Sequence, residues 1–295
     1  MNFQQANNSI IMKDFSHFHI GQILECGQCF RFEQLDDMHY ALVAFGRVLH
    51  VRQTTDSVEF CYEDIALNMT EFEETWLPYF DLQRDYSAII AKITADDPVM
   101  QVAVNFAPGI RILQQEPWEM LISFIISANN RIPQIKQVVK NISAQYGTQI
   151  DVQNYAFPTV EQLLQAAPGD LRALKTGFRD KYIADATQKV AANALDINRD
   201  TQLSTDNLRK SLLTINGVGE KVAHCILLFG YGRMDTFPVD TWVRKVMKQY
   251  YFGGEAASAA QIHSLAQERF GELSGFAQQY LFHYIRVNNA NQGLL

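Results

Sequence analysis

The chain has little of several things, and each shortage narrows what it can be. Four cysteines in 295 residues are too few for a disulfide-stapled secreted scaffold. Charged residues make up 19% against 47% hydrophobic, a balance that excludes extended disorder. Apolar runs such as Ile226–Gly230 fall far short of the roughly 18 residues that a membrane-spanning helix needs. The opening residues, MNFQQANNSIIMKDF, contain neither a basic stretch nor an apolar core. No signal peptide is therefore expected, and a cytoplasmic location without a membrane partner is the default. Basic charge is short as well: 25 Lys+Arg face 32 Asp+Glu, a formal net charge of −7. Over the whole chain, that balance argues against a phosphate-rich partner.

What is present divides the chain in two. Short runs rich in Phe, Tyr, Val and Leu occur at Gln28–Gln34, Tyr40–Phe45, Arg47–Gln53 and Ser57–Tyr62. Turn signals at Asp36-Asp37, Phe45-Gly46 and Thr54-Thr55-Asp56 separate them, which predicts an antiparallel meander. From about Asp81 the apolar spacing becomes helical. Trp118–Asn129, Pro133–Tyr146, Lys181–Ala194, Asn207–Leu213, Glu220–Gly230, Thr241–Tyr251 and Gly275–Val287 each carry apolar residues three and four apart. An α+β chain is expected, with an N-terminal antiparallel sheet domain over 1–105 and a mostly α-helical region over 106–295. Charge divides at the same place. Residues 1–105 carry 6 Lys+Arg and 16 Asp+Glu, whereas residues 106–295 carry 19 and 16. The acidity belongs to the sheet, and the helical region is mildly basic.

The most informative stretch is Leu213-Thr-Ile-Asn-Gly-Val-Gly-Glu-Lys-Val-Ala223. A helix ends before Gly217-Val218-Gly219, and another starts near Glu220. The glycines allow close approach of a second chain, and the free N–H groups of the new helix suit a phosphate oxygen. An ordinary glycine-capped corner reads the same way. Lys221 in the first turn faces the positive end of the helix dipole. Such a position with partial burial favours the free amine that a Schiff-base nucleophile needs; the alternative is a surface lysine touching a phosphate. Asp240, in Phe237-Pro-Val-Asp-Thr-Trp242, is placed to N-cap the next helix. Backbone N–H groups would keep it ionised, and a fixed carboxylate can stabilise a cationic sugar transition state.

Gly217-Val-Gly219, Lys221 and Pro238-Val-Asp240 together resemble the helix-hairpin-helix DNA glycosylase superfamily, and more narrowly the 8-oxoguanine DNA glycosylase/AP lyase family, from about Gly21 to Arg286. The resemblance implies a TBP-like sheet domain and a helix-hairpin-helix at about 207–231. It implies a monomer acting on duplex DNA that contains a damaged base. The expected reaction is excision of 8-oxoguanine opposite cytosine through a Lys221 Schiff base, Asp240 stabilising the sugar, followed by β-elimination. In Glu25-Cys-Gly-Gln-Cys-Phe-Arg-Phe32, Gly27 matches the glycine whose carbonyl meets the N7 hydrogen that 8-oxoguanine has and guanine lacks. Cys225 and Phe282 match residues on the two faces of the extruded base, and Gln278 one that bonds its edge; core packing is the plain alternative for each. Asn129 matches the residue that enters the gap left by the base. Phe178 matches a wedge aromatic, Arg179 a partner of the orphaned cytosine. Trp242 stands where the family often has histidine and is expected to border the phosphate or the pocket. Gly217 and Gly219 would hold a phosphate.

Three expectations concern groups other than DNA. Cys26 and Cys29 form a C-x-x-C with His17 and His19 upstream, a spacing that also fits zinc; the family match accounts for the segment without a metal. No four-cysteine set follows the helices, so no iron–sulfur cluster is expected. The superfamily implies a Na+ or K+ on hairpin carbonyls. Two rivals stay open. A monofunctional alkylbase glycosylase of the same fold should lack Lys221. A non-catalytic helix-hairpin-helix module would not need Asp240, Cys225, Gln278 and Phe282 together.

Overall fold

A computed structural model describes residues 1–167 and 169–291. Six strands form one antiparallel sheet: β1 (Asn2–Ala6), β2 (Ser9–Lys13), β3 (Phe32–Asp36), β4 (His39–Ala44), β5 (Arg47–Gln53) and β6 (Val58–Cys61). Their spatial order is β1-β2-β6-β5-β4-β3. Alternation decides which face is covered: along β4, Tyr40, Leu42 and Ala44 are buried while the residues between them are not. The buried face packs on α1 (Ile20–Glu25) and on a helical segment from Met69 to Tyr79. Trp76 fills this core and donates its Nε1–H to Tyr62 Oη at 2.8 Å, so its one polar atom is met.

The second core is helical. Its helices of nine residues or more are α2 (Tyr86–Thr94), α3 (Pro98–Phe106), α4 (Pro117–Ser127), α5 (Ile132–Tyr146), α6 (Asp180–Ala191), α7 (Thr205–Leu213), α8 (Glu220–Phe229), α9 (Thr241–Tyr250), α10 (Ala259–Phe270) and α11 (Ser274–Asn291). Pro117 through Ile126 are all buried, so α4 is an axis enclosed on all sides, mostly apolar and with its one charged residue, Glu119, paired with Arg31. It starts with Pro117, whose missing N–H costs nothing there. Phe124 of α4 stacks on Phe229 of α8 at 5.5 Å and 14°. The helix that follows the hairpin is thereby seated on the central one.

The segment from Ile110 to Gln115 runs between the two cores and ties them together. Ile110 and Ile112 belong to the helical core and Leu113 to the sheet core. Its N–H groups donate across the junction: Ile112 to Tyr86 Oη at 2.9 Å, Leu113 to Gln28 Oε1 at 2.8 Å, Gln114 to Tyr79 O at 2.8 Å and Gln115 to Phe229 O at 2.9 Å. Arg111 is 1% exposed, yet its guanidinium is matched by His17 O and Asp81 O and lies 4.2 Å over the Tyr86 ring. Tyr86, Ile89 and Ile93 of α2 and Met100, Ala103 and Val104 of α3 belong to the helical core, although they precede position 105.

The structure departs from the expected elements in identifiable places. β1 and β2 lie in the opening stretch, where pairing, β1 with β2 and β2 with β6, rather than local pattern makes the strands. Gln28–Gln34 is a strand only from Phe32. Before that, Gln28 is wholly buried and folds into a turn. Its amide donates to Ile23 O and Arg111 O, both at 2.8 Å, and its carbonyl accepts from Gln115 Nε2. Gln28→Ala orphans several buried groups at once. We expect a loss of about 3 kcal/mol, read as a lower denaturant midpoint with the same m-value.

Candidate active site

Lys221 lies in the first turn of α8, half-buried, its Nζ 5.4 Å from the centre of the Phe124 ring. One turn on, buried Cys225 sits beside it; burial pushes the thiol's pKa up, and Lys221 opposes that rise. Asp240 N-caps α9, its Oδ1 accepting from Val243 N at 2.7 Å. Lys221, Asp240 and Cys225 feel one another's charges, which places the nucleophile candidate and the carboxylate candidate in one cluster. Asp240 differs from expectation in one respect. Capping N–H groups of Val243 and Trp242, with Lys221 and Arg286, favour its ionised form, but burial outweighs them and its pKa is raised.

The far wall is built from the two ends of the chain. Gly27 has φ of +85°, where a side chain is strained, and an added Cβ would come 3.1 Å from Phe282 and 3.2 Å from Arg286. Gln278 is 4% exposed, and among the described residues its Oε1 has no hydrogen-bond partner. A buried acceptor left open is unusual, and it suits a ligand that brings a donor. Phe282 is half-buried, with the Arg286 guanidinium 5.3 Å over its ring. The turn is held by α11: Gln279 Nε2 donates to Cys26 O at 2.9 Å, and Arg286 Nη2 donates to Glu25 O. Gln28, Gln279, Arg286 and Phe124 went unmarked in the sequence, since a lone glutamine, arginine or phenylalanine carries no motif.

The hairpin between α7 and α8 is braced from below. Asn216 N donates to Asp185 Oδ2 at 2.8 Å, and Lys189 Nζ bridges Asp185 Oδ2 at 2.9 Å and Thr214 O at 2.6 Å. Lys189 thus ties the C-terminal end of α7 to α6 beneath the hairpin. Gly217 has φ of +82°, and an added Cβ would meet the Tyr182 ring at 2.4 Å. Gly219 N-caps α8 with extended backbone and open space beside it, leaving the first N–H groups of the helix accessible.

Asn129 and Phe178 stand on one exposed edge. Asn129 has φ of +51° just past the end of α4, and Phe178 is 49% exposed, edge-on to Tyr182 at 6.0 Å. Arg179 differs from the expected outward reach. It is 8% exposed, and its guanidinium donates to Ala128 O, Asn129 O and Thr176 O. Carbonyls at a helix C-terminus are orphan acceptors, and they draw the arginine inward. It shapes the turn that presents Asn129. Trp242 is half-buried in the first turn of α9, with Lys245 Nζ 5.5 Å over its ring.

The zinc alternative finds its side chains spent elsewhere. Cys26 and Cys29 are buried and donate to Ile23 O and Leu24 O. His17 Nδ1 pairs with Pro108 O at 3.1 Å, and His19 Nδ1 accepts from Gln22 N. Among the described residues no three His, Cys, Asp or Glu converge on a metal position.

Comparison with known proteins bears on this geometry. Residues 10–121 match the family model described as 8-oxoguanine DNA glycosylase, N-terminal domain, and residues 122–272 that of the HhH-GPD superfamily base excision DNA repair protein. The N-glycosylase/DNA lyase of Saccharomyces cerevisiae is 29% identical over 259 residues, 79% of this chain and 68% of that protein. The probable N-glycosylase/DNA lyase of Methanothermobacter thermautotrophicus is 29% identical over 231 residues, 70% and 72% of the two chains. A solved structure of Clostridium acetobutylicum 8-oxoguanine glycosylase/lyase, with double-stranded DNA containing cytosine opposite 8-oxoG, is 39% identical. It superposes with a TM-score of 0.92 over 98% of this chain and 99% of that one.

The hairpin gives a stability test. Gly217→Ala combines strain at positive φ with a clash into Tyr182 and is expected to cost about 2 kcal/mol. Gly219→Ala, with open space, should cost under about 1 kcal/mol. Thermal melts of the two variants check the ordering.

Proposed function

Because the chain belongs to the 8-oxoguanine DNA glycosylase branch of the HhH-GPD superfamily of base excision DNA repair proteins, we propose that it excises 8-oxoguanine opposite cytosine from duplex DNA and nicks the abasic strand. It is a DNA N-glycosylase with abasic-site lyase activity. The observation that carries the reading is the convergence of Lys221, Asp240 and Cys225 beside a wall made of Gly27 and Phe282, with Arg286 touching the wall and reaching Asp240 by its charge.

The chemistry follows from these side chains. Hairpin N–H groups at α8 hold a phosphate. Phe178 wedges into the stack, Asn129 enters the gap, and the lesion swings out. Phe282 and Cys225 take its two faces, and Gln278 bonds its edge. The Gly27 carbonyl accepts N7–H, a donor that guanine does not have. Asp240, ionised, stabilises positive charge on the sugar as the bond from C1′ to the base breaks. Lys221, as the free amine, forms the bond to C1′, and the base leaves with its electron pair and takes a proton. The sugar ring opens to a Schiff base. Loss of a C2′ proton then breaks the C3′–O bond, and water hydrolyses the imine to free Lys221. No step passes through an alkali cation.

Borohydride trapping tests the reading. With duplex containing 8-oxoguanine opposite cytosine, the wild-type chain should give a covalent adduct that Lys221→Gln loses while still binding the duplex. Base release without an adduct would instead favour a monofunctional enzyme of this fold. Binding without release would favour a non-catalytic module.

The raised pKa of Asp240 adds a pH test. The protonated form cannot stabilise the sugar cation, and a raised pKa carries that form to higher pH. The single-turnover excision rate should therefore fall toward acid with a midpoint above that of an ordinary aspartate, near 3.9. Asp240→Asn should lose at least about 100-fold in rate with a Tm at or above wild type, since asparagine also caps and burial opposes the carboxylate's charge.

A further inference from the structure

The turn carrying Gly27 is gripped by a residue that the mechanism leaves unused. Arg286 reaches it from the last helix: Nη2 donates to Glu25 O, and Nη1 lies 3.2 Å from the place a Gly27 Cβ would take. The same guanidinium covers the edge of the stacking surface, 5.3 Å over Phe282. Together with Gly27 it also borders an open cavity of about 350 Å³, which Lys221, Cys225, Gln278 and Phe282 do not line.

Arg286 is also short of acceptors. Arg286 is half-buried, and a guanidinium carries several N–H donors that need acceptors wherever water is excluded. Among the described residues its one hydrogen bond goes to Glu25 O, and no carboxylate lies within ion-pair distance. Glu25, Cys26 and Asp240 reach it by charge alone, and burial lowers its pKa. The open donors stand beside Gly27 and Phe282, two of the residues proposed to hold a base rich in carbonyl oxygens.

We propose that Arg286 is a recognition residue of the base pocket, holding the Glu25–Gly27 turn with one N–H and giving another to a carbonyl oxygen of the extruded oxidised purine. The inference rests on the function proposed above. If the Gly27 carbonyl accepts N7–H, the groups flanking that N–H on 8-oxoguanine are O6 and O8. A donor pressed against Gly27 meets one of them. Gln278 serves the opposite edge of the base, so the two residues divide its perimeter.

Arg286→Gln and Arg286→Lys separate this role from a structural one. Two single-turnover rates are needed: release of 8-oxoguanine, and nicking of the same duplex carrying a preformed abasic site, which has no base to recognise. For Arg286→Gln we expect base release to fall about 10- to 100-fold, the scale of one charge-assisted hydrogen bond. Nicking should stay within about two-fold, and Arg286→Lys should restore part of the loss. Repeating the pair on 8-oxoadenine, which has an amino group in place of O6, identifies the oxygen. An equal loss on both lesions indicates O8, and a smaller loss on 8-oxoadenine indicates O6. Base release within two-fold of wild type, or an equal fall in both activities, would overturn the proposal. A wild-type chain inactive on both duplexes would overturn the parent reading and this one with it.

Discussion

Gln279 and Arg286, on the last helix, each donate a hydrogen bond to a carbonyl of one short turn near the start of the chain. The turn cannot hold itself. Gly27 sits at positive φ, and Gln28 after it is buried with no room to relax. Its backbone groups must be met from elsewhere, and the partners come from α11 and from the segment that links the two cores. Sheet and helices thus meet at the point where the candidate pocket opens. One wall of the pocket joins the two ends of the sequence, and it depends on this junction.

The other half of the site depends on helix starts. Lys221 and Asp240 stand at the N-termini of α8 and α9, where unpaired N–H groups and the helix dipole create positive potential. That potential supports a charged aspartate, the state the proposed chemistry needs. Burial works against it, raising the pKa of Asp240. The site therefore holds a carboxylate at some cost to stability, a common feature of reactive centres. The modest charge of the helical region fits the same picture: DNA contacts would draw on backbone N–H groups as much as on lysine and arginine.

Much of this was legible in the sequence because it rests on local pattern. The hairpin glycines, Lys221 and Asp240 lie within one stretch of chain, and helical periodicity around them is strong. The strands β4 to β6 announce themselves by aromatic and β-branched runs. What stayed hidden depends on distant partners. β2 is a strand through pairing with β6, and β1 through pairing with β2. Arg179 turns inward because Ala128 and Asn129 present free carbonyls to it, a fact of tertiary placement. Arg286 and Gln279 gain their meaning from a turn more than two hundred residues away. Net charge misled for the opposite reason, since averaging over both regions erased the difference between them.

We propose that the Gly27 turn sets this fold for an oxidised purine and Lys221 sets it for lyase chemistry. One measurement reaches both parts: the wild-type chain's single-turnover release of bases from matched duplexes containing 8-oxoguanine, guanine or 3-methyladenine, with strand nicking followed in the same samples. We expect release of 8-oxoguanine accompanied by nicking, and no detectable release of the other two. Release of 3-methyladenine without nicking, with 8-oxoguanine untouched, would contradict it.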